Sequence, residues 1–420
     1  MSRYEALVIG AGHNGLACAA YLAKAGLEVL VLEGKSRIGG MATTEELIAP
    51  GLYSDVHASG FLLGKLSPAL EELALNRHGL NIITPNPNWG QVFPDGSGLS
   101  IGRDVDETAV SLARYSKRDA ETWKSLYNSY LDKKQEIVAS INSPPIAFKD
   151  ENLAANASRG YRFKMQSARS WVDETFEHPA LRTFFSSGAL HAGLAPDDPL
   201  GGSFSWIFFS VVQDVGCGIV KSGMQCFTEA LASVVRAHGG EVRGDSAVTS
   251  IVVRNGRAVG VSLRDGEHIE VDGPIASNAD PRHLALDLMG NDASEDVRAD
   301  IQRYEWGPSF FGLYAALDRP VDYKAGREFS KACYVHASAS SIDDLARSFA
   351  DIRAGFLPKY PMVGIINESA VDPGRAIDKA LMKFIVHFVP YDVKRDAAGR
   401  ITGTNWDKIK EPYADALTTW

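Results

Sequence analysis

The 420-residue chain is 45% hydrophobic and 23% charged, an ordinary globular composition whose length predicts two or three domains of about 150 residues each. A net charge of −9 with no basic stripe argues against a nucleic-acid partner, because phosphate binding needs Lys and Arg gathered on one face. No apolar run approaches the roughly 18 residues of a membrane span, and four cysteines with neither CxxC nor zinc spacing argue against dithiol chemistry and for a reducing compartment.

The first predicted strand, Tyr4 to Ile9, starts so early that no signal peptide is expected before it. It runs into Gly10-Ala11-Gly12-His13-Asn14-Gly15, with glycines at the GxGxxG positions. Gly10 permits the turn out of the strand, Gly12 lets backbone approach a pyrophosphate, and Gly15 lets the next helix pack closely on the strand. That helix is the Ala-rich run from Leu16 to Ala25, stopped by Gly26, and Cys18 inside it reads as a small core residue. Val29 to Leu32 supply the returning strand, and Glu33 follows Gly10 by 23 residues, where a carboxylate accepts from ribose hydroxyls and disfavours a 2′-phosphate. Gly39-Gly40 form a second glycine loop, which implies a cofactor longer than the nucleotide held by the first loop alone.

A hairpin-like stretch from Gly51 to Gly60 follows. Helical spacing around Trp123, Leu126, Tyr127 and Tyr130 marks an inserted helical region from Asp106 to about Val138, continuing through Ser170 to Phe185. The apolar run Phe204 to Val212 is too short to span a bilayer and reads either as a buried core element or as the wall of an apolar pocket. Between Ala247 and Val271, strand-like runs separated by Asn255-Gly256 and Asp265-Gly266 predict a β-meander, and Ile275 to Pro281 a strand entering a turn. Further strands are expected at Phe310 to Leu317, Met362 to Asn367 and Met382 to Val389, with a helix from Trp406.

Taken together, the glycine loop, Glu33, Gly39-Gly40, Lys221-Ser222-Gly223-Met224, Gly239-Gly240, Ala276 to Pro281 and Val371 to Gly374 resemble the phytoene desaturase-like FAD-dependent oxidoreductases, within the wider amine-oxidase-like flavoproteins. The resemblance covers essentially the whole chain. It implies an α/β fold in which a Rossmann-like FAD-binding domain, the βαβ unit plus β-meander, is interrupted by a mixed α+β substrate domain. The expected boundaries are 1–105 and 215–285 for the FAD domain and 106–214 and 286–395 for the substrate domain, with 396–420 the start of a truncated C-terminal return segment. The cofactor contacts it implies are Gly10, Ala11, Gly12, Asn14, Gly15, Glu33, Gly39, Gly40 and Met41, with Val248 at the adenine and Asn278 near the nucleotide. Ser222 stands where the family often has a glycine, and the family's further glycine-rich tail that closes over the flavin ring has no counterpart here.

The activity implied is FAD-dependent dehydrogenation of a hydrophobic, isoprenoid- or carotenoid-like substrate, with oxygen, a quinone or NAD(P) as electron acceptor. Amine oxidation, isomerisation without net redox change, and a scaffold that has lost flavin closure are the alternatives. No catalytic triad is legible. Asp55 and His57 are the candidates near the ring, since the family's matching segment returns toward the flavin, and local backbone bonding is their competing role. His191, His283, His336 and His387 show no ligand spacing and read as surface or satisfied core residues, so no metal is expected. Arg303, Trp306 and Tyr334 are candidate cavity-lining residues, and Phe61-Leu62-Leu63 is a candidate contact for a cytoplasmic protein docking peripherally on a membrane.

Overall fold

Strands Ala6–Ile9 and Val29–Leu32 are apolar at every position and buried at every position, the pattern of strands covered on both faces. They lie in an all-parallel sheet ordered Ile275–Ser277, Ala6–Ile9, Val29–Leu32, Glu241–Arg243. A computed structural model describes residues 4–143, 165–337 and 340–419 of the chain, and residues 144–164 of the expected helical region lie outside the described residues. The chain divides into two compact units: the first holds the chain up to Ser59 with Ser67–Ile83 and Ile219–Trp306, and the second holds Gly60–Leu66, Thr84–Gly218 and the chain from Gly307 onward.

In the first unit, helix His13–Lys24 packs against the parallel sheet and against helix Gln225–Ala237. Gly26, at φ +93°, ends the first helix as its sequence position predicts. The meander forms as strands Val248–Arg254, Arg257–Leu263 and His268–Glu270. Its first turn places both Asn255 (φ +53°) and Gly256 (φ +74°) in the left-handed region, the conformation that favours Asn-Gly in a tight hairpin. Leu7, Leu30, Ile251, Val261, Ile269 and Leu288 join sheet and meander in one apolar core. Cys18 departs from expectation: it sits on the exposed side of its helix, because the buried stripe runs through Leu16, Ala19, Ala20 and Ala23.

The second unit is built on a six-stranded sheet ordered Ser309–Leu317, Ala380–Val389, Met362–Ile366, Tyr334–Ala337, Trp89–Val92, Gly98–Ile101. Its pairs are antiparallel except Tyr334–Ala337 with Trp89–Val92. Helices Lys117–Ile141, Ala168–Thr175, Pro179–Ser186 and Gly201–Val215 share an aromatic core in which Phe176 stacks on Phe185 at 4.5 Å and Trp123 lies 4.6 Å from Phe185. The run Phe204 to Val212 is thus a core helix, with Trp206, Phe208 and Phe209 buried. Val335, Met382 and Val386 pack against Ile409 and Tyr413 of helix Trp406–Thr418.

The compact units break at other places than the sequence boundaries. Residues 84–105, expected with the nucleotide half, pair as Trp89–Val92 and Gly98–Ile101 into the second unit's sheet, whereas residues 286–306 belong to the first unit. Such pairing over long sequence distances has no local signature. Among the described residues no helix is long and apolar enough to cross a membrane. Of Phe61-Leu62-Leu63, the first two are buried and only Leu63 is exposed.

Candidate functional site

The glycine loop closes in the order its sequence implies. Gly10 leaves the strand at φ +92° and its N–H bonds the carbonyl of Leu32 at 2.7 Å. Helix His13–Lys24 then starts at Gly12 with no side-chain cap and no acidic residue in its first turn. Its first N–H groups and the positive end of its dipole are therefore available to an anion. A Cβ on Gly15 would sit 2.1 Å from the carbonyl oxygen of Gly10, so strand and helix approach one another only because the residue is glycine.

The carboxylate of Glu33 is held from both sides: Ala11 N–H donates to Oε2 at 2.9 Å and Lys35 N–H to Oε1 at 3.0 Å. Its remaining lone pairs are left for ribose hydroxyls. The second glycine loop lies directly on the first, since Gly39 N–H donates to the carbonyl of Ala11 at 2.8 Å and a Cβ on Gly40 would meet the Gly12 Cα at 3.1 Å. Gly39 and Gly40 have φ of +123° and +59°. Asn278 completes the ring: its N–H donates to the carbonyl of Ile9 at 2.7 Å, and its side chain lies beside Gly10, Gly12 and Gly15.

A cavity of about 280 Å³ opens beside Glu33, lined also by Lys35, Arg37, Met41, Thr43 and His57. Met41 is 63% exposed on its wall, and Asn14 is exposed on the first helical turn. Ser246 N–H bonds the carbonyl of Glu33 and Asp245 N–H that of Lys35, which brings the start of strand Val248–Arg254 alongside the carboxylate. Val248 itself is half-buried and packs on the sheet–meander core. Close contacts that leave no room for a Cβ at Gly12, Gly15 and Gly39, an uncapped helix N-terminus, an immobilised carboxylate and an adjoining second glycine loop fit the diphosphate and ribose of an extended dinucleotide such as FAD.

Asp55 and His57 separate. Asp55 is fully buried in the short pair Thr44–Glu45 with Ser54–Asp55, and its Oδ1 accepts from Thr44 Oγ1 and from Met224 N–H, both at 2.7 Å. It thereby ties the 221–225 turn to this hairpin. His57 is exposed at the cavity. In the same turn Ser222 adopts φ +64°, the left-handed backbone that explains why a glycine is common there, and a Cβ on Gly223 would strike Thr44 Oγ1 at 2.1 Å.

Several side chains fall elsewhere than the sequence suggests. Arg303 and Trp306 are exposed in the first unit, and Tyr334 is buried in the second, stacked on Trp89. His283 is a surface residue bonded to Asp287. His191, His336 and His387, by contrast, are gathered within 5.2–6.1 Å ring to ring, and the Nε2 atoms of His191 and His336 are buried without a partner, so they are not satisfied core residues. The thiols of Cys217 and Cys333, 116 positions apart, meet at 3.7 Å in the second unit's interior. His336 and His387 come from sheet strands, whereas His191 lies in the short helical turn Ser187–Ala192 and Cys217 just after helix Gly201–Val215, so sequence spacing carries no trace of either group. Among the described residues no cluster of His, Cys, Asp and Glu could hold a metal ion.

Comparison with known proteins places this geometry in context. The model of the family described as flavin containing amine oxidoreductase matches residues 15–351. Pyridine nucleotide-disulfide oxidoreductase domain-containing protein 2 of Rattus norvegicus is 24% identical over 461 residues, covering 99% of this chain and 77% of its own length. A limonene dehydrogenase chain of Castellaniella defragrans is 28% identical over 440 residues, covering 98% of this chain and 77% of its own length. Phytoene desaturases are among the other relatives, such as that of Fusarium fujikuroi, 26% identical over 388 residues, 88% of this chain and 63% of its own length. The solved PF1083 protein of Pyrococcus furiosus has the same fold, with a TM-score of 0.61 at 19% identity over 99% of this chain and 84% of its own.

Proposed function

The chain belongs to the flavin-containing amine oxidoreductase family, and on that premise we propose that it dehydrogenates a hydrophobic, isoprenoid-like substrate. It is an FAD-dependent oxidoreductase. FAD, when bound, supplies the hydride acceptor. The chain's own residues bind and orient it: the uncapped N-terminus of helix His13–Lys24 receives the pyrophosphate, Glu33 the ribose hydroxyls, and the wall around Met41 the segment beyond Gly39-Gly40. Asn278 bonds the end of strand Ala6–Ile9 beside the loop, and in this reading the start of strand Val248–Arg254 meets the adenine. Asp55 acts as an anchor for the 221–225 turn, and His57 is an exposed titratable group on the cavity wall, beside Lys35 and Arg37.

The single observation that carries the cofactor reading is the doubly held Glu33 carboxylate beside two interlocked glycine loops. The substrate class is supported by the names of relatives that match along most of the chain, because limonene and phytoene are both hydrocarbons. Oxygen, a quinone or NAD(P) reoxidises the flavin in this reading. The test is anaerobic mixing of the FAD-loaded chain with limonene and with longer isoprenoid hydrocarbons. Loss of the oxidised-flavin absorbance on mixing supports dehydrogenation. Bleaching by primary amines but by no hydrocarbon would replace it with amine oxidation, the reading favoured by the family description. Conversion of the hydrocarbon to an isomer with the flavin unchanged would replace it with isomerisation.

A further inference from the structure

One face of the second unit's sheet carries a group of buried polar atoms that the dinucleotide site does not use. Parallel pairing of Trp89–Val92 with Tyr334–Ala337 sets Trp89 beside Tyr334 and Gln91 beside His336. The indole of Trp89 stacks on the Tyr334 ring at 4.3 Å and lies 5.3 Å from the rings of both His191 and His336, which are themselves 5.5 Å apart. Phe208 closes the group by stacking on His191 at 4.3 Å. Within this aromatic wall Trp89 Nε1, both amide atoms of Gln91, His191 Nε2 and His336 Nε2 are buried with no hydrogen-bond partner. Each buried polar group left in that state costs about 1–3 kcal/mol, so five in one place mark either a strained interior or a site with an occupant.

The network assigns which atoms want what. Ser187 Oγ donates its hydrogen to the carbonyl of Phe184 at 2.6 Å, so toward His336 Nδ1, 3.3 Å away, it acts as the acceptor. His336 therefore carries its proton on Nδ1. Burial drives the pKa of His336 down to about 3, so the ring is neutral near pH 7 and Nε2 is a bare acceptor awaiting a donor. The indole N–H of Trp89 is a donor only, awaiting an acceptor. An orphaned donor and an orphaned acceptor on neighbouring rings are the complement of one hydroxyl group, which accepts from the first and donates to the second. A carbonyl satisfies the indole alone, and a carboxylate gains no counter-charge from neutral imidazoles. Gly364 belongs to the same construction: a Cβ there would strike the Tyr334 hydroxyl at under 2 Å, and that hydroxyl pairs with His387 Nε2.

We propose that Trp89, Gln91, His191 and His336 form a subsite for the hydroxyl group of an otherwise apolar alcohol, so that the chain takes a terpenoid-sized alcohol in preference to the bare hydrocarbon. The carbon skeleton rests on the functional reading above; the hydroxyl rests on the orphaned atoms alone. Three ligands on one ten-carbon skeleton separate the possibilities: menthol, menthone and p-menthane, titrated calorimetrically into the full chain. Menthol is expected to bind at least roughly 10-fold tighter than p-menthane, the worth of two net hydrogen bonds less the desolvation of the hydroxyl, with menthone between them. Trp89→Phe removes the N–H together with the five-membered ring, so the quantity read is the menthol to p-menthane ratio within the variant, where the added space serves both ligands alike; that ratio is expected to fall to about threefold or less. Equal affinities for menthol and p-menthane in the unaltered chain, the result if the orphaned atoms hold water only, overturn the proposal, as does a preference unchanged in Trp89→Phe or an absence of binding by all three. Flavin content measured in the same preparations keeps the two readings apart: a chain that holds FAD yet shows no alcohol preference refutes the subsite alone, and one that prefers menthol without holding FAD refutes the functional reading alone.

Discussion

Replacing Gly15 by alanine tests whether the contact between strand and helix sets the cofactor affinity. The added Cβ would lie 2.1 Å from the Gly10 carbonyl oxygen and 3.1 Å from Asn278 Cβ, so the helix must retreat by about 1.3 Å to restore a contact near 3.4 Å. Overpacking of this kind costs about 1–3 kcal/mol of folding stability. The same displacement carries the first-turn N–H groups beyond hydrogen-bond range of the diphosphate of a dinucleotide whose ribose is fixed by Glu33 and whose backbone path is set by Gly39-Gly40. Loss of two charge-assisted hydrogen bonds at about 1.5 kcal/mol each predicts FAD binding weakened by roughly 100-fold. Gly239→Ala is the control, because Gly239 has φ +86° with open space around its Cβ position: it brings backbone strain without displacing the helix. Equilibrium FAD binding by ultrafiltration, with thermal unfolding on the same samples, reads both quantities. A folded Gly15→Ala chain that binds FAD within threefold of the unaltered protein refutes the reasoning.

Other consequences are equally direct. Ser222→Gly relieves a left-handed residue and is expected to raise stability by about 0.5–1 kcal/mol, seen as a higher thermal midpoint; a lower midpoint contradicts it. Burial lowers the pKa of His336 to about 3 and of His387 to about 4, so between those values and 6.5 the unfolded chain binds more protons than the folded one. The associated stability is complete above pH 6.5 and falls with acidification, by roughly 3–4 kcal/mol for the pair between pH 7 and pH 5. His387→Phe should therefore show a smaller drop in thermal midpoint over that range than the unaltered chain, and an equal drop argues against buried neutral imidazoles. Arg375, fully buried between Glu368 and Asp372 at 3.3 Å each, is expected to cost about 3–5 kcal/mol when changed to Met, because the guanidinium's pairs with two buried carboxylates are lost; a thermal midpoint close to that of the unaltered chain rules this out.

The cofactor loop was legible in the sequence because its determinants are local. Gly10, Gly12 and Gly15 sit within one turn, and the four-residue apolar strands on either side need no distant partner to be recognised. Asn255-Gly256 announced its hairpin for the same reason. What stayed hidden depends on register between segments far apart in the chain. His336 meets Gln91 through a parallel pairing across 245 positions, and neither strand carries a mark of the other. Asp55 looked like a residue for the flavin because it follows the second glycine loop, yet its bond to Met224 N–H shows it holding a turn from another part of the chain. The second unit's sheet recruits Trp89–Val92 and Gly98–Ile101, which the family resemblance assigned to the nucleotide half. Ser222 shows the converse: a departure from a glycine pattern was visible in sequence, and only its φ of +64° gives the departure a physical meaning.

The most direct test is the visible absorption spectrum of the purified chain, with mass spectrometry of the cofactor released on denaturation. Bands near ~370 and ~450 nm together with the mass of FAD are the predicted result, showing that the two glycine loops and Glu33 hold the flavin. A folded, colourless protein that stays colourless after saturation with FAD would contradict the account and return the chain to the class of flavin-free scaffolds.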